Sequence, residues 1–342
     1  MKIAIIVNPL IPVPPEKYGG IERIVYMLVQ ELITLGHDIT LFAHPDSKPG
    51  CKLVPYQEGE HYSLKASIRI NRLTSKIARQ GFDLVHTFGR MSNIALLMLN
   101  KIPKVVSYQL PPTLSQVKKA VRIARTNTLH FTACSNYIAD QIKDHCDVTT
   151  IYNGVDMADY QFNGKVEPGA PFVFLGRIQK EKGTAIAIQM VKQTNNKLII
   201  AGNVPAEAVH QQYFEEEVKP FIDQEQIKYI GPVNNAQKNE LLRTSRALLM
   251  PVLWDEPFGI VMTEALACGT PVIGFKRGAV PEIVSNGRDG FVCKTEADMI
   301  AAIKNIDNIS RTACRQVVEQ KFSAGMLARQ YEELYQQTAG KK

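Results

Sequence analysis

Short apolar runs and segments of helical periodicity alternate along this chain, and the alternation runs twice, with a polar break between the two passes. The opening run Ile3 to Val7 leads through a Pro- and Gly-containing loop into a stretch whose Ile21, Ile24, Val25, Leu28, Leu32 and Leu35 repeat at helical spacing up to Gly36-His37. The spacing then predicts a strand over Asp38 to Phe42, a helix near Leu64 to Gln80 and a strand at Leu84-Val85-His86. A helix near Asn93 to Leu99 and a strand over Lys104 to Tyr108 follow. Strands separated by helices pair in parallel, so this half reads as an open α/β sheet covered on both faces.

The chain turns polar and flexible from Gln161 to Pro171, with Gly164, Pro168 and Gly169. Beyond it the pattern restarts with strands expected at Phe172 to Leu175, Leu198 to Ala201, Ile227 to Ile230, Ala247 to Met250 and Pro271 to Gly274. Intervening helices are expected from Thr184, near Ala206 to Asp223, at Gln237 to Arg243 and from Gly259. With 342 residues the chain is long for one α/β core. The reading is two doubly wound, Rossmann-like domains, 1-165 and 166-323. A helix within 324-342 places Ala328, Tyr331 and Leu334 on one side and is expected to return to the first domain. Ligands should bind at the carboxyl ends of the strands, in a cleft between the domains.

The basic surplus belongs to the first half: residues 1-165 hold 19 Lys and Arg against 13 Asp and Glu, and residues 166-342 hold 21 against 20. No acidic residue stands between Asp83 and Asp140, whereas Arg90, Lys101, Lys104, Lys118, Lys119, Arg122 and Arg125 do. Lys118, Arg122 and Arg125 fall on one helical side, and Val117, Val121 and Ala124 lie nearby on another. A solvated charged face is the plain reading. Peripheral attachment to an anionic membrane, or capture of an anionic or lipid-linked acceptor, is the functional one. No nucleic-acid recognition motif accompanies the charge.

The six cysteines form no Cys-x-x-Cys pair and no zinc spacing, so reduced, mostly buried thiols are expected, and no metal or cofactor. The apolar opening is too short to cross a bilayer and lacks a cleavage site, which makes the cytoplasm the expected compartment, with the inner membrane face as a variant.

The segment Pro251-Val252-Leu253-Trp254-Asp255-Glu256-Pro257-Phe258-Gly259-Ile260-Val261-Met262-Thr263-Glu264, followed by Ala265-Leu266-Ala267-Cys268-Gly269-Thr270-Pro271, carries the most chemistry. It leaves a strand and opens a helix, and Gly259 removes a side chain where amides must approach a ligand. Two glutamates at this spacing would alone be ordinary surface residues. With Pro257-Phe258-Gly259 between them, Glu256 and Glu264 resemble the E-x7-E signature of retaining GT-B glycosyltransferases, specifically glycosyltransferase family four. Gly176-Arg177-Ile178-Gln179-Lys180-Glu181-Lys182-Gly183, Tyr18-Gly19-Gly20-Ile21-Glu22 and Tyr152-Asn153-Gly154-Val155-Asp156 carry the same resemblance, so it spans nearly the whole chain.

The resemblance implies transfer of a hexose from a nucleotide sugar without a metal, UDP-sugar first and GDP-mannose second. The acceptor would be a hydroxyl of a surface or exopolysaccharide or lipid precursor. It gives Arg177 and Lys182 to the donor phosphates, Glu256 to a donor-sugar hydroxyl and Glu264 to the ribose. A departing diphosphate gathers negative charge, which fixed cations and the amides of Gly259, Ile260 and Val261 at a helix start can neutralise. Phe258 belongs to the same segment. Gly19 and Gly20 would close on the same phosphates, and Gly231 and Val233 would meet the base.

Relatives place a histidine where this chain has Gln109, and His86, ending the preceding strand, is a second residue expected to line the cleft. For His86 a satisfied strand-end histidine is the competing reading. Rival functions are nucleotide-sugar epimerisation, phosphorolysis, and a non-catalytic nucleotide-sugar-binding subunit.

Overall fold

The computed structural model describes residues 1–15, 19–57 and 63–340. Tyr18, quoted above with Gly19, lies outside them. The chain divides into two compact units, Met1–Gly154 with Ala324–Lys342, and Val155–Ser323.

In the first unit the strands β1 (Lys2–Ile6), β2 (Asp38–Ala43), β3 (Lys52–Pro55), β4 (Leu84–Thr87), β5 (Lys104–Tyr108), β6 (Leu129–Ala133) and β7 (Val148–Thr150) form one parallel sheet in the order β3-β2-β1-β4-β5-β6-β7. Ile3 pairs with Ile39 and Leu84, and Ile5 with Leu41 and His86. Both faces of these strands are apolar because both are covered. Ala4, Ile6, Val85, Val106 and Phe131 enter one core with Ile94 and Leu97. Helix Gly20–Thr34 buries Ile24, Val25, Leu28 and Leu32, each of which contributes about 1.5–3 kcal/mol for the area it removes from water. Helix Ala324–Gly340 packs beside it and buries Leu327, Ala328, Tyr331, Leu334 and Tyr335.

In the second unit β8 (Phe172–Leu175), β9 (Leu198–Ala201), β10 (Ile227–Tyr229), β11 (Leu248–Met250), β12 (Val272–Phe275) and β13 (Gly290–Cys293) run parallel in the order β10-β9-β8-β11-β12-β13. Each sheet is therefore doubly wound, with strand order reversing between β1 and β4 in the first and between β8 and β11 in the second. At such a reversal adjacent loops diverge and leave a crevice outside the strand ends.

The units part between Gly154 and Val155, ahead of the polar stretch where the composition changes. Hydrogen bonds explain the difference. Val155 donates to Phe322 O at 2.8 Å, Arg315 donates to Tyr160 O at 2.7 Å, and Arg311 donates to Asn163 O at 2.6 Å. The residues from 155 to 163 are thus fastened to the second sheet's helices despite their loop-like composition.

Several elements differ from the periodicity. Met91–Leu97 is a 3-10 helix, and the segment after Leu64–Ser75 tightens to 3-10 at Lys76–Arg79. Helix Ala208–Tyr213 widens into a π turn at Phe214–Val218 before Pro220. Strands β3, β6, β7 and β13 were not expected: β3 and β7 are short edges, and β6 interleaves Leu129 and Phe131 with His130 and Thr132. All six cysteines are free, and Cys134, Cys268, Cys293 and Cys314 are buried. Among the described residues no helix is long and apolar enough to cross a membrane.

Candidate active site

At the reversal point of the second sheet, the loops leaving β8 and β11 meet. Leu253 N donates to Glu181 O at 2.8 Å. Gly183, at φ +76°, sits so close to the Pro251 carbonyl that a Cβ would stand 2.0 Å from its oxygen. Only glycine allows this approach and this backbone conformation together. The clamp aims Lys182 across the crevice, where its Nζ donates to Glu256 Oε2 at 2.7 Å and lies 4.5 Å from the Trp254 ring centroid. The Trp254 indole N–H donates to the same oxygen at 2.9 Å. One carboxylate oxygen thus receives an ammonium and an indole from two loops.

The backbone of Glu256 is fixed as well. Ala279 N donates to its carbonyl at 2.8 Å, and Gly278 passes so near that a Cβ would stand 2.5 Å from Glu256 N. Gly259, at φ +74°, caps helix Ile260–Ala267, whose partly exposed first residues Ile260 and Val261 present amides without intrahelical acceptors. Phe258, also expected at the substrate, turns its side chain into the core, where it is 3% exposed and meets Phe322 edge-on at 6.2 Å. Its large apolar ring is worth more in the core than at a polar crevice.

Glu264 projects from the second turn of the same helix and is buried. Its Oε1 accepts from Tyr160 OH at 2.7 Å and from Lys238 Nζ at 2.5 Å. Arg177 stands half-buried in the loop after β8, with Ile178 N bonded to Asn203 O. Gly231, at φ +73°, stands two residues after β10 and accepts from Gly202 N at 2.8 Å through its carbonyl, and Val233, beyond Pro232, is partly exposed. The structure therefore brings Lys182 to Glu256, and keeps Glu264 apart on its own cation.

In the first unit, a cavity of about 820 Å³ opens outside the carboxyl ends of β1, β4 and β5, with Asn8, Phe88, Arg90, Ser107 and Gln109 among its lining. Gln109 Oε1 accepts from Asn153 Nδ2 at 2.7 Å. Gly20 has open space around its Cβ position, whereas Gly19 is filled by Pro15 and Glu22, the latter buried and its carboxyl pushed up by that burial.

His86 does not line this cavity. It is 0% exposed, with Nδ1 2.5 Å from Tyr335 OH and Nε2 2.6 Å from Ser107 Oγ, and burial lowers its pKa to about 3. Ser107 in turn contacts Thr132 Oγ1 at 2.5 Å and Tyr331 OH at 3.0 Å. The satisfied-histidine reading holds, because the helix carrying Tyr331 and Tyr335 occupies the space a ligand would need.

The basic stretch also changes. Lys104 is buried in β5, donating to Asn100 O and Thr128 Oγ1, and burial, then Arg125, lower its pKa to about 8. Helix Leu114–Ile123 buries Val117 and Ala120, leaves Val121 exposed and ends before Arg125. Lys118, Lys119 and Arg122 remain at the surface.

Trp254, Tyr160, Lys238, Asn153 and Gly278 were not singled out by sequence. Trp254 stood in the quoted segment beside Glu256, and Asn153 in the hinge segment, so proximity to a motif was the available signal. Tyr160 and Lys238 carried none, since each reaches Glu264 only through the fold. Among the described residues no group of three or more His, Cys, Asp and Glu stands where it could hold a metal ion.

Comparison with known proteins agrees with this layout. The model of Glycosyltransferase Family 4 matches residues 18–159, and that of glycosyl transferases group 1 matches residues 158–320. Glycogen synthase of Mycobacterium tuberculosis is 24% identical, the alignment covering 86% of this chain and 83% of that protein. AviGT4, a glycosyltransferase involved in avilamycin A biosynthesis, superposes with a TM-score of 0.74 at 23% identity, over 100% of this chain and 98% of that one. Alr3699/HepE of Anabaena, solved with UDP and glucose, gives a TM-score of 0.73 at 17% identity, over 97% and 98% of the two chains. Two family models that run end to end over both Rossmann-like units make the chain a glycosyltransferase of the GT-B, family 4 type.

Proposed function

We propose that this glycosyltransferase moves a hexose from a UDP-sugar to an acceptor hydroxyl, with retention of anomeric configuration and without a metal. The observation that carries the reading is the Lys182–Glu256 pair, 2.7 Å apart at the reversal of the second sheet, beside the amides that open helix Ile260–Ala267. As the bond from the anomeric carbon to the diphosphate breaks, charge gathers on the departing oxygen. Lys182, Arg177 and the amides of Ile260 and Val261 neutralise it. Glu256 orients a sugar hydroxyl, and Glu264 accepts from the ribose hydroxyls. The acceptor oxygen bonds to the anomeric carbon and its proton passes to the leaving diphosphate.

The glycogen synthase and the UDP-bound neighbour described above support a nucleotide-sugar donor and a carbohydrate or glycoconjugate product. The test is a thermal-shift screen of nucleotide sugars, followed by mass-spectrometric profiling of acceptors with the donor that binds. UDP-sugars are expected to raise Tm by several degrees, and the rate to persist in EDTA. A screen in which GDP-mannose alone stabilises the protein would move the donor assignment. A product of inverted anomeric configuration by NMR would overturn retention.

A further inference from the structure

Three elements cover one face of the first sheet. Ile70 of helix Leu64–Ser75, Ile94 and Leu97 of the 3-10 helix Met91–Leu97, and Val117 and Ala120 of helix Leu114–Ile123 enter the same core as Ala4, Ile6, Val85 and Val106. Hydrogen bonds join them into one layer. Asn71 Nδ2 donates to Ser92 O, Leu96 N to Asn71 Oδ1 at 2.9 Å, and Thr74 Oγ1 to Asn93 O at 2.7 Å. Arg125 N, just past the third element, donates to Met98 O at 2.8 Å, just past the second.

The outward side of this layer is apolar and basic together. Helix Leu64–Ser75 buries Ala66, Ile70 and Thr74, whereas Leu64, Ile68 and Arg72 stand two positions away, about 200° round the helix, and are exposed. A helix that only covered a core would be polar there, yet Leu64 is 79% exposed. Leu96 and Leu99, 58% and 71% exposed, continue the apolar side onto the second element, and Val121 onto the third. Exposed Lys65, Lys101, Lys118 and Arg122 stand among them. Asp83 is the sole acidic residue from Leu64 to Ala139, and its Oδ2 accepts from Lys2 N at 2.8 Å. The next acid along the chain, Asp140, holds Lys143 at 2.7 Å.

A solvated charged face accounts for the cations but not for the aliphatic side chains between them. A nucleic acid gives leucine little to contact, and none of the three elements has an aromatic residue to stack on a base. Protein interfaces are poor in lysine and anchored by aromatic side chains. Anionic lipid answers both features, since its headgroups attract basic side chains and the acyl boundary takes leucine and isoleucine. We propose that this layer is a peripheral docking face for an anionic bilayer, with Leu64, Ile68, Leu96 and Leu99 at the acyl boundary and Lys65, Arg72, Lys118 and Arg122 at the headgroups. The cavity described above is lined from both the second and the third element, so docking brings it to the lipid surface. Docking of this kind is independent of which sugar is transferred.

Co-sedimentation of the full chain with vesicles of phosphatidylcholine alone, or of phosphatidylcholine mixed equally with phosphatidylglycerol, supplies the test. The mixed vesicles are expected to bind roughly tenfold more tightly or better. K65Q/R72Q/K118Q/R122Q should remove that preference, and L96S/L99S should weaken binding to mixed vesicles about fivefold, with thermal melting used to verify folding. L64S/I68S repeats the apolar test should L96S/L99S fail to fold. K197Q/K228Q/K276Q/K294Q takes the same charge from exposed positions of the second unit and should bind within about twofold of the unaltered protein. Equal binding of the two kinds of vesicle overturns the proposal, as does an equal loss in the second-unit variant, which would make net charge the cause. Unchanged binding in both apolar variants reduces the layer to a solvated charged face. Absence of vesicle binding, with poly-L-glutamate bound by the unaltered protein and lost in the fourfold first-unit variant, overturns it in favour of an acidic protein partner.

Discussion

Lys182 Nζ stands 2.7 Å from Glu256 Oε2 with only 19% and 10% of the two side chains exposed, so each charge depends on the other. Lys182→Met strands a nearly buried carboxylate and is expected to destabilise the protein by about 3 kcal/mol, and to lower transfer on the order of 10²–10³-fold. The double variant K182M/E256Q should recover most of the stability and none of the rate. Recovery of the rate in that variant, in a coupled assay for nucleotide diphosphate release, would show that the pair is structural only.

Glu264 is held by two donors converging on Oε1. Tyr160→Phe removes one hydrogen bond, about 1 kcal/mol, and should weaken UDP binding roughly fivefold by calorimetry. Lys238→Met should weaken it more, since the buried carboxylate loses its counter-charge. Unaltered affinity in both variants would separate Glu264 from the donor.

Gly183 tolerates no side chain, because the nearest atom to a Cβ is the Pro251 carbonyl oxygen at 2.0 Å. Gly183→Ala is expected to lower stability by about 2 kcal/mol or more, and to reduce transfer further by shifting Lys182. Gly231→Ala is the control: φ is likewise positive at +73°, but nothing lies within 4 Å, so only conformational strain of about 1 kcal/mol should register.

His86 makes a pH-dependent contribution whose sign follows from its buried, neutral state. Its folded pKa of about 3 lies below the ordinary 6.5, so the unfolded chain binds the extra proton. This contribution is complete above pH 6.5 and is lost as pH falls toward 3, by about 1.4 kcal/mol for each pH unit. Urea unfolding between pH 7 and 5 should show that slope in the unaltered protein and lose it in His86→Asn. An unchanged slope would assign the acid sensitivity to other groups.

The alternation of apolar runs made two doubly wound domains legible, because parallel strands covered on both faces need that pattern. It could not supply β7, a three-residue edge of Val148, Thr149 and Thr150, nor the early parting of the units at Gly154, which depends on Arg311 and Arg315 reaching back from a distant helix. At the site, Glu256, Glu264, Arg177 and Lys182 stood out through their neighbours in sequence. Tyr160 and Lys238 did not, since 104 and 26 positions separate them from Glu264. His86 ended a strand where a ligand contact was expected, but Tyr331 and Tyr335 approach it from the helix Ala324–Gly340. Strand-end position was legible, while the later helix that covers it was not.

That helix gives synthesis an order. The first unit's sheet is complete once β7 has emerged from the ribosome, yet Tyr331 and Tyr335 follow only after the second unit has been translated. At about 5–20 residues per second, that is a delay of roughly ten to forty seconds. For that interval the nascent sheet carries His86 and Ser107 beneath an open, wettable groove, while the second unit folds as an insertion between two parts of the first. Closing the groove is the step that completes the first unit, and it waits on the helix translated last.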